Sequence, residues 1–238
     1  MAYDSGSGTD DVAAPAGRKD AGQRGLRRSL NVAIAAVTVL ALGCGVWLLQ
    51  HGTASSPPPQ PSAAQAGGDG PGDGAGPASG DAGAPALPPS PPTRITIPSI
   101  KVDAPLTGLG LMKDGSLEVP PAARRDLAGW YESGTTPGDR GTAIVAGHVD
   151  NAEGPSVFYA LGALQKGQRI EVRRTDGRTA VFTVDAVEVY DSRAFPDDKV
   201  YRAAKRPELR VITCGGGYSK KTGYLGNVVV FAHLTGVV

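Results

Sequence analysis

Clustered metal ligands and a basic surface are both missing from this 238-residue chain, and their absence removes several function classes at once. It has 2 cysteines, Cys44 and Cys214, too few for a disulfide scaffold. Its 3 histidines, His51, His148 and His233, have no close Cys or His partner, so no zinc site is expected and the metal assignment is none. Lys and Arg number 24 against 23 Asp and Glu, a formal charge of +1 that provides no basic track for phosphates and argues against nucleic-acid binding. No phosphate-binding glycine loop of the G-x-x-x-x-G-K-[ST] kind occurs, so no cofactor is expected. Aromatic residues make up only 5%. Gly and Pro, by contrast, number 34 and 20, and most of that excess precedes Thr93.

The chain divides into four stretches. Residues 1–28 are polar and carry Arg18, Lys19, Arg24, Arg27 and Arg28; they read as a disordered tail that cannot bury enough apolar surface to fold. Residues 29–49, SLNVAIAAVTVLALGCGVWLL, form an uncharged run of about twenty residues, long enough as a helix to cross a hydrocarbon core of roughly 30 Å. The basic residues lie before this run and none lies between Gln50 and Thr93. That bias predicts a single-pass membrane anchor with a cytoplasmic amino terminus and an extracytoplasmic remainder. Residues 50–93 are rich in Pro, Gly and Ala and read as an unfolded linker, with an end-to-end distance near ~35 Å for a flexible chain of this length. Residues 94–238 are enough for one domain with its own core.

Strand patterns dominate that domain. RITIPSI, GTAIVAGHV, QRIEVRR, TAVFTVDAVEVY, LRVITC and NVVVFAHL are β-branched runs separated by Gly, Pro and Asp, which predicts a mainly β barrel or sandwich. VFYALGAL, residues 157–164, is the best helix candidate, with a weaker one at 200–205. His233, inside NVVVFAHL, reads as a strand residue near the barrel surface or wall.

LRVITCGGG ends a strand at a thiol followed by three glycines, a place where a backbone permits close substrate approach. Strand alternation sets Cys214, Ile212 and Arg210 on one face. A nucleophilic thiol needs a base or cation to form thiolate and a donor for the oxyanion of an acyl intermediate. Arg210 is the candidate for the donor. His148 closes a second apolar strand, TAIVAGH, just before Asp150, and is the candidate base.

GTAIVAGHVD, LRVITCGG and YLGNVVVFAHL, occurring in that order after an apolar amino-terminal run, resemble the sortases, membrane-anchored cysteine transpeptidases of Gram-positive bacteria. The resemblance spans the whole extracytoplasmic domain from RITIPSIKVDAPL onward. The CGG after the cysteine, AGWY at 128–131, GPSVFYALG and PELRVITC are most similar to the class F group of high-GC actinobacteria. It implies an eight-stranded sortase-type β-barrel with one or two short helices, with Cys214 as nucleophile and His148 as general acid/base. It implies further that an LPXTG-like sorting motif of surface proteins is cut between Thr and Gly through a Cys thioacyl intermediate. The acyl group then passes to a cell-wall amine on a peptidoglycan precursor. One departure stands out: where most sortases carry an arginine on the last strand, about thirteen residues after the cysteine, this chain has Asn227. Arg210 is the substitute favoured by strand parity, with Asn227 and Ile212 assigned to substrate binding. Asn227 retains a neutral donor. An L,D-transpeptidase is excluded because its cysteine and histidine sit together in one compact motif. The competing reading is a catalytically impaired sortase-like module that binds the wall.

Overall fold

A computed structural model of the chain describes residues 57–67 and 83–238. The expected cytoplasmic tail and membrane helix, residues 1–49, lie outside the described residues, as does much of the linker. Among the described residues no helix is long and apolar enough to cross a membrane.

The described residues form ten strands: β1 (Pro92–Ile97), β2 (Val102–Leu109), β3 (Ala128–Tyr131), β4 (Gly141–Ala146), β5 (Asp150–Asn151), β6 (Gly154–Pro155), β7 (Arg169–Arg174), β8 (Thr179–Asp191), β9 (Pro207–Ser219) and β10 (Gly223–Val237). Eight of them close a barrel in the order β1-β2-β3-β4-β9-β10-β8-β7, and β5 with β6 forms a small ribbon. The pairings β2–β3 and β4–β9 are parallel. Closure through β1 and β7 leaves the barrel itself without an open edge.

Alternation along the long strands sorts the side chains. Leu209 and Val211 of β9 point inward with Val228, Val230, Ala232 and Leu234 of β10, joining Ile95, Val145, Phe158, Val172 and Phe182 in the barrel core. Ile212, Val229 and Phe231 alternate outward and form a second cluster with Ile144, Ala186 and Val200. The segment between β8 and β9 covers that outer cluster. Its short helix α1 (Asp197–Tyr201) starts after Pro196, has Asp197 and Asp198 in its first turn, and buries Val200. It takes the place of the helix expected at 200–205.

The second helix expectation is corrected more strongly. Residues 157–164 form turns and a single 3-10 turn, Leu161–Ala163. Phe158, Leu161 and Leu164 are all fully buried. Their spacing of three matches three residues per turn, not 3.6, so a 3-10 geometry buries all three where an α-helix would fan them apart. The run RITIPSI is likewise cut short, because Pro98 ends β1 and opens a 3-10 turn.

Part of the expected linker is also folded. Ala84 N–H donates to Leu234 O (2.9 Å) and Leu87 N–H to Gly138 O (2.8 Å). The buried Arg174 guanidinium donates to Pro137 O (2.8 Å) and to Pro88 O, fastening this stretch to the barrel. Proline fixes the extended backbone in advance, so little entropy is lost when its carbonyls meet a buried guanidinium.

Candidate active site

Cys214 lies on the outer face of β9, beyond Ile212, and His148 follows β4 on the neighbouring strand. The parallel register runs from Gly141↔Pro207 to Ala146↔Ile212. It is continued by two hydrogen bonds, Gly147 N–H to Ile212 O (3.2 Å) and Thr213 Oγ1 to Gly147 O (2.9 Å). Continued two residues, that register sets His148 level with Cys214 on strands spaced about 4.8 Å apart. The glycine before the histidine is required by packing: a Cβ on Gly147 would lie 2.7 Å from the Phe158 ring and 2.8 Å from Val157. After the cysteine, Gly216 and Gly217 adopt φ of 73° and 91°, values that L side chains rarely take.

The proton inventory of His148 follows from one contact. Its Nε2 lies 2.7 Å from Pro120 O. A carbonyl only accepts, so Nε2 carries a proton and Nδ1 is the atom left to act as base. Cys214 is a free, exposed residue. Protein atoms nevertheless crowd its sulfur, and desolvation, aided by the Asp150 carboxylate, raises the thiol above its ordinary value. A thiol in that setting needs a base to ionise.

Asp150 and Tyr224 complete this corner. Tyr224 OH donates to Asp150 Oδ2, and desolvation together with that carboxylate raises the phenol pKa. Neither residue stands out in the sequence, where Asp150 is one aspartate in a polar turn and Tyr224 follows a glycine.

Arg210, Asn227 and Ile212 fall in different places. Arg210 shares the outer face, as alternation requires, but sits four residues before Cys214, about 14 Å along the strand at about 3.4 Å per residue. Its guanidinium donates to Glu208 Oε2 (2.7 Å) and stacks over Phe231, 4.5 Å from the ring centroid. The structure thus does not bring Arg210 to the thiol. Asn227 stands directly opposite Cys214 in the β9–β10 register and donates from Nδ2 to Thr213 O at 3.5 Å. Ile212 adjoins Cys214 on the same face but is buried in the outer cluster, leaving little of it for a substrate to touch.

Residues 57–67 reach the same neighbourhood. Gly216 N–H donates to Gln60 Oε1 (3.1 Å), and Lys166 is held by Gln65 Oε1 (2.8 Å) and Ala66 O (2.6 Å). A separate open depression of about 530 Å³ is bounded by residues including Val102, Ala104, Arg125, Val157 and Tyr159; neither Cys214 nor His148 borders it. Among the described residues, no group of three or more His, Cys, Asp or Glu is placed to hold a metal.

Comparison with known proteins supplies a family model and structural neighbours. The Sortase domain model matches residues 95–235. Listeria monocytogenes sortase A is 21% identical with a TM-score of 0.46, over 61% of this chain and 87% of that one. Corynebacterium diphtheriae sortase A, as a lid mutant, is 19% identical with a TM-score of 0.48, over 61% and 70%. Sortase C-1 from Actinomyces oris is 20% identical with a TM-score of 0.46, over 60% and 73%. No curated protein matches the sequence.

Proposed function

Because the chain belongs to the sortase family, cysteine transpeptidases that act on sorting signals of surface proteins, we propose that Cys214 and His148 perform thioacyl transfer here. The observation that supports this reading is the parallel β4–β9 register, which, continued two residues past Ala146↔Ile212, sets His148 level with Cys214. Nδ1 of His148 takes the thiol proton as Sγ attacks the Thr carbonyl of an LPXTG-like motif, and the resulting imidazolium protonates the leaving glycyl amine. An amine then attacks the thioester and releases the sorted protein.

The oxyanion of each tetrahedral intermediate needs a donor near Sγ. This reading assigns that donor to the side-chain amide of Asn227, whose register position opposite Cys214 supports it. Arg210 is assigned a different task, holding Glu208 and Phe231 beneath the outer cluster. The enzyme reads as a class F-like sortase, anchored by residues 29–49 with the catalytic domain outside the cell, and its acceptor as an amine of a peptidoglycan precursor. Both the anchored substrate and a lipid-linked acceptor lie within reach of a tethered domain.

The test uses the full-length protein in detergent with an LPXTG-containing peptide and a panel of amines, read by mass spectrometry. Cleavage at Thr–Gly with amide products supports the reading. Intact peptide in every reaction favours a wall-binding module instead.

A further inference from the structure

A carboxylate stands beside the nucleophile, two residues past the candidate base. Val149 is buried, whereas His148 and Asp150 on either side of it are only half-buried. Asp150 opens the β5–β6 ribbon, paired with Pro155, and its hydrogen bond from Tyr224 ties that ribbon to the β9–β10 hairpin. Tyr218, the cross-strand partner of Tyr224, packs edge-on against it with ring centroids 5.2 Å apart and is itself exposed at 65%. The carboxylate lies close enough to Cys214 to oppose its ionisation.

For peptide cleavage alone this arrangement is a handicap, because an anion next to a thiol makes the thiolate harder to form. The second half of the reaction has the opposite need. Once Sγ is acylated it carries no charge, and the handicap vanishes. The incoming amine, however, is mostly an ammonium ion at neutral pH and cannot attack until it loses a proton. The geometry points to Asp150, held by the Tyr224 hydroxyl, as the subsite that binds the acceptor's ammonium group and takes its proton. This assignment rests on the thioacyl-transfer reading above and specifies its second half.

The step balances without any further reagent. Asp150 takes one proton from the ammonium, freeing the nitrogen lone pair. Nitrogen attacks the thioester carbonyl carbon, forming the C–N bond as the carbonyl pair moves to oxygen. On collapse the C–S bond breaks and its electron pair returns to Sγ. The remaining excess proton on nitrogen passes through His148 to Sγ, restoring the thiol, while Asp150 releases its proton to solvent.

Two nucleophiles of different charge test this in the full-length enzyme at pH 7. Glycinamide is mostly protonated there, whereas hydroxylamine is uncharged. With an LPXTG-containing peptide, mass spectrometry reads each amide product relative to the hydrolysis product. This ratio belongs to the folded molecules alone, so a reduced folded fraction does not move it. In Asp150→Asn the glycinamide ratio is expected to fall about tenfold, the size of one charge-assisted hydrogen bond, with the hydroxylamine ratio within about twofold. Asp150→Glu should restore part of the glycinamide ratio. An unchanged glycinamide ratio in Asp150→Asn, or an equal fall with both nucleophiles, overturns the assignment. If the unsubstituted enzyme forms neither amide nor hydrolysis product, the thioacyl reading itself fails and the subsite with it.

Discussion

Replacing Arg210 with alanine separates a residue that holds the fold from one that handles the oxyanion. The guanidinium is nearly buried, its partner Glu208 is 17% exposed, and their contact is 2.7 Å. Breaking a buried pair from one side typically costs about 3–5 kcal/mol. Two features move this case to the lower end: Glu208 keeps Arg206 at 3.0 Å, and Nε of Arg210 has no hydrogen-bond partner to lose. Loss of the stack on Phe231 adds about 0.5–2 kcal/mol. The sum is about 3.5–5 kcal/mol, or a fall in Tm of about 7–20 °C for a domain of this size. The penalty also depends on pH with a definite sign. Desolvation raises the Glu208 carboxyl, but Arg210 and then Arg206 outweigh it and hold the folded value below the ordinary one. Its contribution is therefore present above the unfolded carboxylate pKa and fades as pH falls through the folded one, so variant and parent converge in acid. Thermal unfolding followed by circular dichroism, paired with peptide-cleavage kinetics at a temperature where both proteins are folded, measures the two roles separately. A lower Tm with kcat/KM within about threefold is expected. An unchanged Tm with kcat down about 10²–10³-fold would return the oxyanion role to Arg210 and refute the reasoning.

Three further outcomes follow from the same site. Asn227→Ala should lower kcat about 10²-fold, the typical effect of losing one oxyanion donor, with little change in Tm because the side chain makes only one long hydrogen bond. The rate of Cys214 alkylation by iodoacetamide should rise with pH to a midpoint above that of an ordinary thiol, about 8.5, and Asp150→Asn should move the midpoint down because an opposing charge is removed. Protease shaving of intact cells should release the domain beyond residue 94, since the positive flank precedes the apolar run; protection of the domain would reverse the proposed orientation.

The strands rich in β-branched residues were legible because TAVFTVDAVEVY and NVVVFAHL satisfy the period of two over many residues. β2 and β3 were not: Pro105 and Gly108 interrupt the pattern of the first, and AGWY is too short for any period to show. The helix expected at 157–164 failed because its buried apolar residues recur every three positions, a spacing that suits a 3-10 turn better than an α-helix. At the site, motif order singled out Cys214 and His148. The face of Arg210 could be read from parity, but parity is silent about distance along a strand, and four residues place it beyond reach. The opposition of Asn227 and Cys214 depends on the hairpin register, which the bulge between Tyr224 and Gly226 shifts. Asp150 was illegible because its importance comes from Tyr224, which is distant in sequence.

The central claim is that Cys214 becomes acylated with the help of His148, and intact-protein mass spectrometry tests it most directly. The full-length protein is mixed with an LPXTG-containing peptide, quenched in acid within the first turnovers, and digested to locate any adduct. The account predicts a mass increase equal to the peptide up to its threonine, on Cys214 alone, cleared by added amine. It should be absent in Cys214→Ala and form about 10²–10⁴-fold more slowly in His148→Ala. Cleavage at Thr–Gly by Cys214→Ala at an undiminished rate, or an adduct on another residue, would contradict it.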